Sequence, residues 1–160
     1  MAYIPIHPEE YLEMRLSSNP SMKEDELRQR LYQALADFRR GIKCSCGNNI
    51  WVLGSAEVGN RCFFCITGKS NPTTEYEIDK ALIKREYRQG HRHIDDMDPT
   101  KIAGIFDDDG YEILPMLIKK PSLCIGCSLN TNNDEEYLCD LNRYDQRNSK
   151  EFVCNSFQSI

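Results

Sequence analysis

Lys43-Cys44-Ser45-Cys46-Gly47-Asn48-Asn49-Ile50-Trp51-Val52-Leu53, followed eight residues on by Cys62-Phe63-Phe64-Cys65-Ile66, is the stretch on which the fold turns. A C-x-C pair and a C-x-x-C pair put four soft sulfur donors within reach of one tetrahedral ion. Between the pairs, residues 50–53 read as a strand, Gly54-Ser55 and Gly59-Asn60 as turn positions, and residues 61–66 as a returning strand. The expectation is a hairpin clamped at its base by Cys44, Cys46, Cys62 and Cys65.

Working outward, the other four cysteines follow C-x2-C-x11-C-x14-C: Cys124-Ile125-Gly126-Cys127, then Cys139 and Cys154. Antiparallel strands over 137–143 and 150–157 would set Cys139 opposite Cys154 and complete a second tetrahedral site. Four thiolates close the coordination shell, whereas a catalytic zinc keeps a position for water, so both sites are expected to hold structural zinc, two ions in all. An iron–sulfur cluster is the alternative, because spacing alone does not separate a single ion from a cluster. A redox role for either C-x-x-C pair lacks the strand-then-helix setting that activates such a thiol. Four thiolates around a dication leave net negative charge, and Lys43, Arg61, Lys119 and Lys120 stand beside the cysteines to offset it.

The chain has 160 residues, a size that admits one domain or two small lobes. With 40% apolar and 28% charged residues it has the composition of a folded protein and not of a disordered tail. The formal charge of −5 argues against whole-surface attraction to nucleic acid. Residues 1–30 show no apolar stretch behind a basic start, and no run approaches bilayer length. The expectation is a cytoplasmic protein with no membrane association, where a reducing environment favours metal ligation over disulfides.

Helix punctuation organises the rest. Pro8-Glu9-Glu10 opens a short helix that ends near Asn19-Pro20. Ser21-Met22-Lys23-Glu24 has the form of a capping box before a long helix. Its apolar positions Leu27, Leu31, Ala34, Leu35 and Phe38 recur at three and four, and Gly41 stops it. Thr74-Glu75-Tyr76-Glu77 suggests a second capping box and a helix to Gln89. Asp98-Pro99 opens a single helical turn, and 102–114 carry a strand, turn, strand pattern around Asp107-Asp108-Asp109-Gly110. The fold class is therefore α+β: a small zinc-stabilised fold with N-terminal helices and two four-cysteine hairpin or knuckle sites. Its segments are a helical part (1–42), the first hairpin (43–68), a linking helix and β-hairpin (69–120) and a second cysteine module (121–160).

On these residues, 43–67 resemble a zinc ribbon, with C-x-C where the ribbon ordinarily has C-x-x-C. The C-terminal third, with Pro121-Ser122-Leu123-Cys124-Ile125-Gly126-Cys127, Cys139-Asp140-Leu141-Asn142-Arg143 and Glu151-Phe152-Val153-Cys154, resembles small uncharacterised bacterial proteins. That second resemblance implies no activity.

No catalytic constellation emerges. His91-Arg92-His93-Ile94-Asp95-Asp96 invites comparison with the H-x-H-x-D run of binuclear metallohydrolases, yet the only other histidine is His7. Asp107, Asp108, Asp109 and Glu112 lack EF-hand spacing. The leading expectation is a non-catalytic, zinc-structured module that binds another protein. The alternatives are a nucleic-acid-binding ribbon using a basic stripe of Lys80, Lys84, Arg85, Arg88 and Arg92, and a metal-dependent hydrolase or iron–sulfur redox protein.

Overall fold

The computed structural model describes residues 3–84, 88–131 and 133–160. It divides into two compact units, Met1–Glu112 and Ile113–Ile160.

In the first unit, strand β1 (Ile4–Ile6) leads through His7, whose ring accepts the Glu9 amide, into helix α1 (Pro8–Ser18). Helix α2 (Glu24–Arg39) carries the core. Leu27, Leu31, Ala34 and Leu35 lie on one face and are almost wholly buried, against Leu12 of α1 and Ile6 of β1. Each such leucine contributes roughly 1.5–3 kcal/mol. Arg28 leaves the same helix buried but satisfied, with Nη1 and Nη2 donating to the two Glu9 carboxylate oxygens at 2.7 and 2.8 Å and Nη2 also to Glu24 at 2.9 Å. The Ser21 capping box does not form. Lys23 occupies the cap position, and three acidic residues in the first turn meet the positive end of the helix dipole instead.

The strands expected at 50–53 and 61–66 are helices: α3 (Val52–Val58) and α4 (Phe63–Thr67). Val52, Leu53 and Ala56 form a helical face that joins the core, and Gly54 has no room for a side chain, since a Cβ there would lie 2.3 Å from the Trp51 ring. The decisive residue is Glu77. Strand β2 (Tyr76–Ile78) pairs in parallel with β1, Ile6 against Ile78, and turns the Glu77 carboxylate onto the start of α3. It accepts from the amides of Val52 at 3.0 Å, Leu53 at 3.4 Å and Ile78 at 2.8 Å. Glu77 therefore caps another helix and not its own. The helix expected from 74 to 89 reduces to α5 (Asp79–Leu82), and its residues 85–87 lie outside the described residues.

Beyond Arg88 the chain forms single 3-10 turns at Ile94–Asp96 and Pro99–Lys101. The second opens at Asp98, whose carboxylate accepts the Thr100 amide, as the Asp-Pro pair implies. Strands β3 (Ile105–Phe106) and β4 (Glu112–Ile113) flank the Asp107–Gly110 turn, so the hairpin pattern is met by short strands.

The second unit contains α6 (Ser122–Ile125), a 3-10 turn at Ser128–Thr131 and α7 (Asn133–Asp145). Neither 137–143 nor 150–157 is a strand. Tyr137, Leu141 and Tyr144 recur at helical spacing, and short apolar runs fit either period until packing decides. Gln146 then does the work of a partner strand, donating to the Val153 carbonyl and accepting the Val153 amide, both at 2.8 Å. The C-terminus folds back on the knuckle: the Ser128 amide donates to Gln158 O at 2.8 Å and the Ile160 amide to Gly126 O at 3.2 Å. Among the described residues of this unit the buried hydrophobic positions are Ile113, Cys124 and Cys127, accompanied by buried Asp140 and Arg143.

Candidate metal centre

The first cysteine pair sits on a tight turn. The Gly47 amide donates to Cys44 O at 2.8 Å and the Cys44 amide to Asn48 O at 2.9 Å, with Gly47 at a φ of 87° that suits glycine. The second pair sits at the start of α4, with Cys62 at the cap and Cys65 in the first turn. Helix α3 holds the two together. Its preceding residue Trp51 donates its amide to Arg61 O at 3.0 Å, and the Ser55 hydroxyl bridges the amide and carbonyl of Arg61. Cys62 is thereby delivered to Cys44 and Cys46, and Cys44, Ile50 and Cys62 pack against Phe38 at the end of α2.

The sulfurs of Cys44, Cys46, Cys62 and Cys65 all lie within 4.8 Å of one another, with Cys46 and Cys62 at 3.5 Å. Tetrahedral zinc with Zn–S bonds of about 2.3 Å needs sulfurs roughly 3.8 Å apart, so the quartet is close to the shape of a filled site. Asn48 points its amide nitrogen at Cys46 and Cys62, 3.5 and 4.0 Å from the two sulfurs. The Cys46 and Cys62 backbone amides hold the Cys44 thiol down, to about 6. Cys62 is lowered mainly by the Cys65 amide, while crowding by the Cys46, Cys62 and Cys44 sulfurs pushes Cys65 up, to about 12. Backbone amides thus favour thiolate at Cys44 and Cys62 while the neighbouring sulfurs keep the proton on Cys65, a proton that a bound cation would displace. The spacing of the cysteines brought Cys44, Cys46, Cys62 and Cys65 together, as the structure does, but did not place Asn48 or the Glu77 cap. The Gly47-Asn48 pair directly after the C-x-C was the available clue for Asn48.

Cys124, Cys127, Cys139 and Cys154 line one cavity of about 30 Å³. They are gathered, but less tightly. Among the described residues only the first quartet brings three or more ligand atoms within 4.8 Å of one another. The Cys127 sulfur receives backbone N–H groups of Gln158, Leu129 and Asn130, which lower its thiol. Cys139 is pushed up by burial. It lies on α7 one turn before Arg143, and that helical pairing was hidden by the strand expectation.

Among the described residues, the His91–Asp96 run takes part in no group of three ligand atoms within 4.8 Å of one another. His93 is buried. Its Nε2 lies 2.9 Å from Asp109 O and its Nδ1 accepts the Asp95 amide at 3.1 Å, so both ring nitrogens serve the backbone. His91 Nδ1 lies 2.7 Å from Glu112 O and, facing a carbonyl, acts as donor. These residues with Arg39, Arg40, Arg92 and Tyr111 line a cavity of about 500 Å³, in which Arg40 pairs with Asp37, Arg39 with Asp96 and Arg92 with Glu112.

The basic stripe is not one helix face. Lys80 lies over the Tyr32 ring, and Arg88 stacks on Tyr111 while donating to Asp107 and Asp109 at 3.1 and 3.2 Å. Arg92 binds Glu112, Lys84 is exposed, and Arg85 lies outside the described residues. Among the described residues no helix is long and apolar enough to cross a membrane. Comparison of the chain with family models, curated proteins and solved structures gives no match.

Proposed function

We propose that this protein is a non-catalytic, metal-structured module in which zinc at Cys44, Cys46, Cys62 and Cys65 fixes a surface for a protein partner. The observation that carries the reading is the closed sulfur quartet, with every one of its positions filled by a cysteine and none left for a reacting water. The C-terminal quartet supplies a second thiolate centre. Support for a protein partner comes from the surface beside the first quartet. Phe64 and Val58 are 57% and 56% exposed, and a groove of about 310 Å³ runs past Met14, Trp51, Ile66 and Tyr76. Such side chains next to a rigid metal clamp suit the apolar anchor of a partner.

The engagement of Arg88 and Arg92 by neighbouring carboxylates weighs against the nucleic-acid alternative, and the backbone bonds of His93 weigh against the hydrolase alternative. A photo-reactive side chain at position 64, in cells that make the full chain, tests the reading. The expected result is crosslinking to one protein, which then binds the purified zinc-loaded chain and is released by Phe64→Asp. Salt-sensitive binding of labelled RNA or DNA with no protein crosslink would overturn it.

A further inference from the structure

We infer that the cavity of about 500 Å³ between the end of α2 and residues 90–111 is a binding site for a small organic anion, one with a carboxylate or phosphate-monoester head on an apolar body. The site lies wholly within the first unit and no cysteine lines it, so it goes beyond the metal-structured reading and does not depend on it.

Three guanidiniums, those of Arg39, Arg40 and Arg92, line the cavity against one carboxylate, Asp96. Arg39 and Asp96 are both deep, with Arg39 Nε 3.4 Å from Asp96 Oδ1, and their charges offset each other. The other two ion pairs are turned the same way round. The Arg40 and Arg92 side chains are 50% and 53% exposed, whereas their partners Asp37 and Glu112 are each 12% exposed and do not line the space. Each pair therefore shows the cavity its positive end, and the field there favours an anion over a cation. The same pairing that denies a nucleic acid a continuous basic track sets two fixed charges around one confined volume.

Those donors are already held in place. Asp37 accepts from Gln33 at 2.9 Å and from Asn60 at 2.8 Å as well as from Arg40. Glu112 accepts from Nε of Arg92 at 2.7 Å and from its Nη2, while the Glu112 amide donates to Arg92 O at 2.7 Å. One edge of each guanidinium is thus clamped. Among the described residues, Nη1 of Arg92 and both Nε and Nη1 of Arg40 are left without a protein acceptor. A guanidinium oriented in advance loses little freedom when it takes up an oxyanion.

A volume of about 500 Å³ falls in the range of small-molecule pockets, and a bare inorganic ion would leave most of it to water. Ala36, Met97 and the Tyr111 ring supply an apolar wall. His93 adds only ring surface, because both its nitrogens bond the backbone, and its ring meets that of Tyr111 edge to face with centroids 4.8 Å apart. An apolar body against this wall, with its anionic head at Arg40 and Arg92, satisfies both halves of the lining.

The test uses the full zinc-loaded chain, isotope-labelled and titrated with phenyl phosphate and separately with benzoate while backbone-amide and arginine side-chain NMR signals are followed. Expected is saturable movement of the Arg40, Gly90, His91 and Arg92 signals with at least one of the two anions, the tighter of which assigns the head group, and no such movement with benzylamine. Arg40→Gln with Arg92→Gln should weaken binding at least tenfold and leave zinc content unchanged, and Arg40→Lys with Arg92→Lys, which keeps the charge, should retain part of the affinity. Zinc is measured on the same samples, so failure here and failure of the metal-site reading are told apart. No saturable shift with either anion would overturn the proposal, as would equal binding of benzylamine, inorganic phosphate binding as tightly as phenyl phosphate, or undiminished binding by the glutamine variant. Nuclear Overhauser contacts on the unaltered chain decide even if the variants misfold: contacts from the phenyl ring to Met97 and Tyr111 support the site, and contacts only elsewhere contradict it.

Discussion

Replacing Glu77 with alanine removes one carboxylate that satisfies three backbone amides, those of Val52, Leu53 and Ile78. Glu77 is 3% exposed, so water cannot readily substitute. Each buried donor left unpaired costs ~1–3 kcal/mol, and partial relaxation of the first turn of α3 brings the expected total to ~2–5 kcal/mol. At ~4–8 °C per kcal/mol for a domain of this order, melting falls by ~10 °C or more. Burial outweighs the three amide bonds and raises the carboxyl to about 7 from 4.5. A group raised in the folded state contributes its stability below the unfolded value and loses it as pH rises through the folded one. At ~1.4 kcal/mol per unit, that is ~3 kcal/mol lost between about pH 4.5 and 7. Thermal or urea melts of Glu77→Gln across this range should therefore lack a downward slope that the native chain shows, read as the difference between the two proteins so that thiolate protonation cancels. A loss under ~1 kcal/mol for the alanine variant, or the same slope in the glutamine variant, would refute the capping argument.

Leu31→Ala, at a position 1% exposed in the middle of α2, should cost ~2–5 kcal/mol in urea unfolding without altering metal content. Arg28→Ala strips the partners from Glu9 and Glu24 and from Asp98 at 3.7 Å, with an expected loss of ~1–3 kcal/mol, discounted because Glu9 is partly exposed. The Arg28 hydrogen bond holds the Glu9 carboxyl below its usual range, so this contribution is present above that range and lost as pH falls through the depressed value; acid titration followed by circular dichroism should show a shallower loss in the variant. His93→Phe should lower stability, since it breaks bonds to Asp95 and Asp109, yet leave bound metal unchanged by elemental analysis.

The sequence made the first cysteine quartet legible before its supports. Helices α1 and α2 were readable because their apolar spacing and stop residues agree, and the cysteine pairing at 44/46 and 62/65 follows from the short loops that carry it. What hid the true elements around the first quartet was a non-local cap: Glu77 reaches back 25 residues to hold α3, and no local pattern announces that. In the C-terminal unit the segment around Cys139 fits both a two-residue and a 3.6-residue period. The choice of helix brings Arg143 to the same cavity as the cysteines, a placement that a strand would not give. His93 was legible as a residue type but not as a buried one, because its partners Asp95 and Asp109 are backbone groups that no composition reveals.

The most direct measurement is zinc X-ray absorption on the purified full chain, together with unfolding in strong chelator and reductant. The account predicts zinc with a shell of four sulfurs at about 2.3 Å, abolished by Cys62→Ser with Cys65→Ser, and loss of structure around Cys44–Cys65 when the ion is withdrawn. A chain that is purified without metal and keeps its full melting transition in chelator and reductant would contradict it.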